Sequence, residues 1–300
     1  MKISALALSA LIAGSLVSAA SAQTGYGITA NGNIVSFAAA TPGTFNSNVA
    51  ISGLAASETA LSIDARASDG SLVILTSASR MYTVNGATGV ATALGSTSAF
   101  TPALGNGGYS IDFNPTVDRI RTVGGPAGDE NFRLNPVNGT RVAGDTNLTF
   151  SSGGGVSAVG VAYTNAQFGV TAALGSIREY VIFSGTFGTL NLGEVGSQAG
   201  GNASFNGGIV TIVGGLGLAG TTSDVGFDIF GPTGIAYVST IGGIGAVTNN
   251  LYTINLATGA ATLVGAFDPS GRVTDITFIP APSAAAVMGL GLIAAARRRR

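Results

Sequence analysis

The sequence predicts an all-β protein, a β-propeller of about five blades whose ring is closed by pairing of its N- and C-terminal strands. Three observations predict it. A hairpin-like stretch recurs along the chain. A second short motif recurs with a period near 50 residues. Short apolar runs are broken throughout by Gly, Asn, Thr and Ser, a pattern of many short strands and turns rather than long helices.

The hairpin stretch is clearest in RMYTVNGATGVATALGS at 80–96 and NLYTINLATGAATLVGA at 250–266, identical at nine of seventeen positions. A third copy, NFRLNPVNGTRV, lies at 131–142, and looser ones lie at 33–43 and 178–189. The shared pattern is aromatic, any residue, aliphatic, Asn, three residues, Gly. Aromatic and aliphatic two apart lie on one strand face. Asn and Gly then tolerate the backbone angles of a hairpin turn, and the following residues form the return strand.

The second motif precedes each hairpin as LSIDA at 61–65, YSIDF at 109–113, VGVAY at 159–163, VGFDI at 225–229 and VTDITF at 273–278. Aligning Ile63, Ile111, Val161, Phe227 and Ile276 gives spacings of 48, 50, 66 and 49. The long interval absorbs a Gly-rich stretch at 196–220. Such a period, with several strands per unit, is that of a propeller, in which each unit buries a sheet face against its neighbour. The last start lacks its remaining strands, and residues 26–52 have strands but no start. Together they make one blade, which also removes exposed sheet edges. A stacked β-solenoid usually has coils shorter than 50 residues and needs no complementary ends, and the uneven spacing and basic C-terminus fit a transmembrane barrel poorly.

The chain divides into three parts. Residues 1–22 read as a secretory signal: Lys2, an apolar run, then Ala20-Ser21-Ala22, with cleavage between Ala22 and Gln23. Residues 23–279 are the propeller domain. Residues 280–300 carry Pro280 and Pro282, an apolar segment of fourteen residues, and Arg297, Arg298, Arg299 and Arg300. A helix of that length spans about 21 Å, short of a ~30 Å hydrocarbon core, so it crosses only with arginine snorkelling. The arginines would stay on the cytoplasmic side, with the domain facing outward. The tail resembles the PEP-CTERM class of bacterial sorting signals, with Pro-Ala-Pro in place of Pro-Glu-Pro. That resemblance implies recognition and removal by an exosortase-type membrane enzyme. An ordinary C-terminal anchor is the alternative, and the mass of the mature protein separates the two. The expected address is the cell envelope, cell surface or extracellular space, with membrane contact only through this tail.

Composition excludes several chemistries. Without Lys2 and the terminal arginines, eight of the 13 basic residues remain, all Arg, against 14 acidic ones, about −6 for the folded part. Such a chain is a poor partner for nucleic acid. The chain has no His and no Cys, and its single Lys lies in the leader. That rules out Ser–His–Asp and Cys–His catalysis, Schiff-base lysines, His or Cys zinc sites and disulfides. Two-carboxylate glycoside chemistry and calcium, which takes oxygen ligands, are compatible with what is left.

Two constellations stand out. Asp64, Asp112 and Asp228 occupy equivalent places in three blade-start strands, and Asp275 lies two residues before the equivalent place, on the same face. The first strand of a propeller blade lines the central channel. These carboxylates therefore either form a ring that holds a cation or a sugar, or accept backbone hydrogen bonds that fix blade to blade; repeated polar residues generally serve the repeat. Second, Asp112, Asp118, Arg119, Arg121, Asp129, Glu130, Arg133, Arg141 and Asp145 crowd into 34 positions, as a polar binding face or a salt-bridged blade surface. GGLGLAG at 214–220 lacks the Lys and following helix of a phosphate loop and reads as turns.

IDFNPTVDRIR at 111–121, with NFRLNP, AYTN, GFDI and LYTINLATGAATLVG, resembles an uncharacterised bacterial family, domain-of-unknown-function family 4394, over roughly residues 26–278. LSIDARASDG departs from the more usual G-I-D-F-R-P form of that blade. The resemblance implies a secreted or surface protein and brings no activity or catalytic residues. The expected function is therefore that of a non-catalytic structural or ligand-binding propeller of the envelope or matrix, with exopolysaccharide or envelope proteins as partners and no catalytic residues or obligatory cofactor. A polysaccharide-acting enzyme using the channel aspartates, or a surface adhesin, are the alternatives.

Overall fold

The computed structural model describes residues 23–95, 98–173, 175–185, 189–196, 204–219, 224–241 and 248–280. The leader, including Ala22, and the tail beyond Pro280, including Pro282 and the four arginines, lie outside the described residues. Among the described residues, twenty-one strands form five sheets. Blade 1 is β4 (Ala60–Ala65), β5 (Leu72–Thr76), β6 (Met81–Val84) and β7 (Ala91–Ala93). Blade 2 is β8 (Tyr109–Asn114), β9 (Arg119–Gly124), β10 (Glu130–Leu134) and β11 (Arg141–Val142). Blade 3 runs β13 (Ala158–Tyr163), β14 (Glu179–Ser184), β15 (Thr189–Val195) and β16 (Ile209–Ala219), with β12 (Thr149–Phe150) parallel on its outer edge. Blade 4 is β17 (Gly226–Phe230), β18 (Ile235–Ile241), β19 (Asn249–Ile254) and β20 (Ala261–Ala266).

The fifth blade joins the two ends of the domain. β21 (Val273–Pro280) is its innermost strand, followed outward by β1 (Gln23–Thr29), β2 (Asn33–Ala38) and β3 (Thr41–Ala50). β1 and β21 pair antiparallel from Gln23↔Pro280 to Thr29↔Val273. The predicted closure is therefore present. It is sealed by apolar packing of Val35 and Phe37 on Val273, Ile276 and Phe278, with the Phe37 and Phe278 rings edge to face at 5.9 Å.

The recurring hairpin has one geometry in three blades. Asn85, Asn135 and Asn255 each accept, at the backbone carbonyl, the N–H of Gly89, Gly139 and Gly259, at 2.8, 2.9 and 2.7 Å. Their side-chain oxygens cap the N–H of Ala87, Val137 and Ala257, each at 2.9 Å. Only the glycines take positive φ, 71°, 74° and 82°, so the Asn is present as a cap and not for its tolerance of left-handed backbone. Each tip docks on the blade before it. A Cβ on Gly89 would lie 2.1 Å from the Ala50 carbonyl oxygen, and one on Gly259 would lie 2.5 Å from that of Gly214.

The second half of that contact corrects one expectation. Residues 214–219 are not turns but the end of β16. Glycine permits the register shifts between β15 and β16 and the close approach of the blade 4 hairpin, where a Cβ on Gly214 would sit 2.2 Å from the Thr258 oxygen. Among the described residues no helix is long and apolar enough to cross a membrane.

Candidate functional site: the central channel and its mouth

The innermost strands β4, β8, β13, β17 and β21 run side by side around the axis. Two levels of side chains tie them together. At the first level stand Ser62, Ser110, Gly160, Gly226 and Asp275. At the second stand Asp64, Asp112, Ala162, Asp228 and Thr277. Each polar side chain accepts a main-chain N–H from the next blade. Ser62 accepts from Ile111 (2.9 Å) and Ser110 from Val161 (3.1 Å). Asp64 accepts from Phe113 (2.6 Å), Asp112 from Tyr163 (3.1 Å), and Asp228 from Phe278 (2.5 Å). Across the closure, Asp275 accepts from Ile63 (2.9 Å) and from the Ser62 hydroxyl, and Thr277 accepts from Ala65 (3.2 Å).

All four aspartates are buried. One carboxylate oxygen from each of Asp64, Asp112 and Asp228 lies within 4.8 Å of the others, while Asp275 stands outside that trio. Burial is the largest cause pushing every one of these carboxyls upward, and mutual repulsion adds to it at Asp64 and Asp112, both well above the usual range. Asp228 is pushed up to about 6 and Asp275 to about 7. Three carboxylate oxygens suit a hard cation such as calcium. The same groups are already engaged as blade-to-blade acceptors, which accounts for their repetition without any ligand.

Above the first level lies a cavity of about 610 Å³. The residue preceding the first level in every inner strand lines it: Leu61, Tyr109, Val159, Val225 and Thr274. The β1–β2 turn adds Asn31, the linker into blade 1 adds Ile51, Leu54, Glu58 and Thr59, and Asp275 reaches its wall. Sequence reasoning missed this site because most of its walls carry no shared motif. The signal that was available is the position just before each blade start. Glu58 is buried and held below the ordinary carboxylate range. Burial alone would raise it, but hydrogen bonds from Thr76, the Tyr82 hydroxyl and the Ala55 N–H, with Arg80 3.9 Å away, outweigh that.

The charged segment around blade 2 is in part a salt-bridged blade surface, with Arg133–Asp145, Arg141–Glu130 and Arg66–Asp118 partly exposed, but its centre is buried. Arg121 is only 1% exposed. Its guanidinium donates to Glu179 (3.2 Å), Tyr163 (3.1 Å), Asn131 (2.9 Å), Asp145 (3.2 Å) and Asn206 (2.8 Å). Glu179 and Asn206 come from blade 3, outside the segment that the sequence singled out. Burial opposes the Arg121 charge, but the Glu179 carboxylate beside it holds the guanidinium firmly protonated. Arg121 and its partners are therefore an internal tie between blades 2 and 3.

Fold and site define a five-bladed β-propeller with an amide-capped acidic channel and a cavity at one mouth. A family profile described as "Domain of unknown function (DUF4394)" matches residues 33–277, and the chain belongs to that family. No curated protein matches it. Among solved structures it is similar to U3-55K, with 8% identity, 84% of this chain and 80% of that one covered, and a TM-score of 0.42. A Bacteroides uniformis protein assigned only provisionally as a 6-phosphogluconolactonase gives 13% identity, 84% and 69% coverage, and a TM-score of 0.38. A Lactobacillus plantarum protein gives 13%, 86% and 99%, and 0.37. Likenesses this distant lend no activity to this chain.

Proposed function

We propose that this is an exported, non-catalytic binding propeller of the cell envelope or extracellular matrix, whose ligand enters the mouth cavity. The observation that carries the reading is the cavity itself. Its volume falls within the ~300–1,000 Å³ usual for ligand sites, and every blade contributes a wall. The channel aspartates, the catalysts that a polysaccharide-acting enzyme would need, are buried and spent on main-chain amides. Export rests on the leader ending at Ala22, and surface retention or sorting on the segment from Pro280 to Arg300. Partners of this kind are exopolysaccharide, other envelope proteins and, for the tail, a sorting enzyme.

The test mixes the purified protein with the producer's own exopolysaccharide and measures co-sedimentation and polymer chain length. Binding with unchanged length is expected. Shortened polymer would replace this reading with the enzymatic one, and absence of binding would redirect it to a protein partner.

A further inference from the structure

The described wall of the mouth cavity offers no cation to an anionic ligand. Among the described residues lining it there is no Arg, while Glu58 and Asp275 both reach its wall. Arg80, the cation nearest Glu58, is 3.9 Å from that carboxylate and is matched by it. Beneath the cavity, Asp275 shares the channel with Asp64, Asp112 and Asp228, and among the described residues no basic side chain pairs with any of the four. An anion entering this partly enclosed space would lose water and find no basic partner among the described lining residues, and at pH 8, above the value of about 7 to which Asp275 is raised, it would also meet the Asp275 charge.

The remaining wall is aliphatic and hydroxylic. Ile51, Leu54, Leu61, Val159 and Val225 give apolar surface for C–H faces. Asn31 and Thr59, exposed at the rim, give an amide and a hydroxyl for ligand hydroxyls. From this charge pattern we infer that the cavity takes an uncharged sugar residue, such as the end of a neutral glycan, and rejects its anionic counterparts, uronates and sugar phosphates alike. The inference rests on the binding reading above and narrows its ligand class.

Calorimetric titration of the full-length protein at pH 8, where Asp275 is ionised, with a neutral hexose oligosaccharide and with its 6-phosphorylated counterpart tests it. The neutral ligand should bind, and the phosphorylated one should bind at least about ten-fold more weakly at low salt, with a gap that narrows as salt is added. Thr59→Lys, at an exposed position where the fold is not at stake, should narrow or invert the gap. Equal or tighter binding of the phosphorylated sugar would overturn the inference and leave the binding reading standing. Failure of both sugars to bind would overturn the sugar-binding reading and the inference with it.

Discussion

Raising the pH from about 4 to 8 is expected to destabilise the propeller, opposite to the trend for a protein held by ionised carboxylates. Asp275 goes from an ordinary 3.8 to about 7 in the fold, chiefly through burial. Below 3.8 the group is protonated in both states. Between 3.8 and about 7 the folded state holds a proton that the unfolded chain has released, so stability falls with each step in pH. Above about 7 both states are ionised and the loss is complete. At about 1.4 kcal/mol per pH step, the loss from Asp275 is ~4 kcal/mol, and Asp228, at about 6, adds up to ~3 kcal/mol. The two interact, so the losses do not simply add. Glu58 and Asp69, both held low, work the other way below about pH 4.5 and give the profile an acid limb. Denaturant unfolding at pH 4 to 8, on wild type and Asp275→Asn, measures this directly. The asparagine keeps an acceptor for the Ile63 N–H but cannot titrate, so its profile should be flatter between pH 5 and 7. A wild-type stability that rises across that interval, or an Asp275→Asn slope equal to wild type, would refute the reasoning.

Other outcomes follow from the same contacts. Gly89→Ala should lower stability by more than ~1 kcal/mol, because φ is positive there and the Ala50 carbonyl blocks the added methyl; the denaturation midpoint reads it. Arg121→Met should cost ~3–5 kcal/mol by stranding the buried Glu179 carboxylate, while Asp145 keeps Arg133, and adding Glu179→Gln should recover part of that loss in a double-mutant cycle. A thermal melt should have the same midpoint with calcium as with chelator, since the channel aspartates already have amide donors; a calcium-dependent rise would establish a cation at Asp64, Asp112 and Asp228.

The fold was legible because a propeller writes its period into the chain. Equivalent residues such as Tyr82 and Tyr252, or Ile63 and Ile111, face equivalent surroundings, so the same residue types recur. Ring closure was legible for the same reason, since a start without a blade at 273–278 and a blade without a start at 26–52 complete each other. The alignment of Asp275 two places ahead of Asp64 also holds: Thr277 takes the Asp64 level and Asp275 that of Ser62. What could not be read depends on contacts without a repeat. Glu179 and Asn206 reach Arg121 from another blade, and nothing in the segment around Arg121 points to them. β16 was misread because glycine density signals turns in an isolated window, whereas here it allows a strand to bend beneath a neighbouring hairpin.

The exceptions to the repeat locate the site better than the repeat does. Where Ser and Asp recur, as at Ser62–Asp64 and Ser110–Asp112, they hold the next blade's amides, and that duty alone explains them. Blade 3 abandons the pattern with Gly160 and Ala162. A Cβ on Gly160 would lie 2.8 Å from Phe227 Cβ, so direct apolar contact takes the place of the hydrogen bonds at that seam. Blade 5 reverses the pattern, placing the acid at Asp275 and the hydroxyl at Thr277. An Asp–Thr pair satisfies the amides of Ile63 and Ala65, and the Thr277 hydroxyl also donates to Asp64 at 2.9 Å, where a carboxylate would instead repel the trio. The reversal's consequence is to raise one carboxyl from the buried trio to the wall of the cavity, beside Thr274 and across from no cation among the described lining residues. Local departures from a rule that blades 1 and 2 keep in full, and blade 4 at Asp228 alone, are where function is expected to act on sequence. Removing the Asp275 charge alone with Asp275→Asn, Thr277 kept as donor to Asp64, should therefore keep the ring closed, while reducing the cavity's discrimination between neutral and phosphorylated sugars at pH 8. An Asp275→Asn protein that folds and discriminates as well as wild type would show that Asp275 serves only the seam.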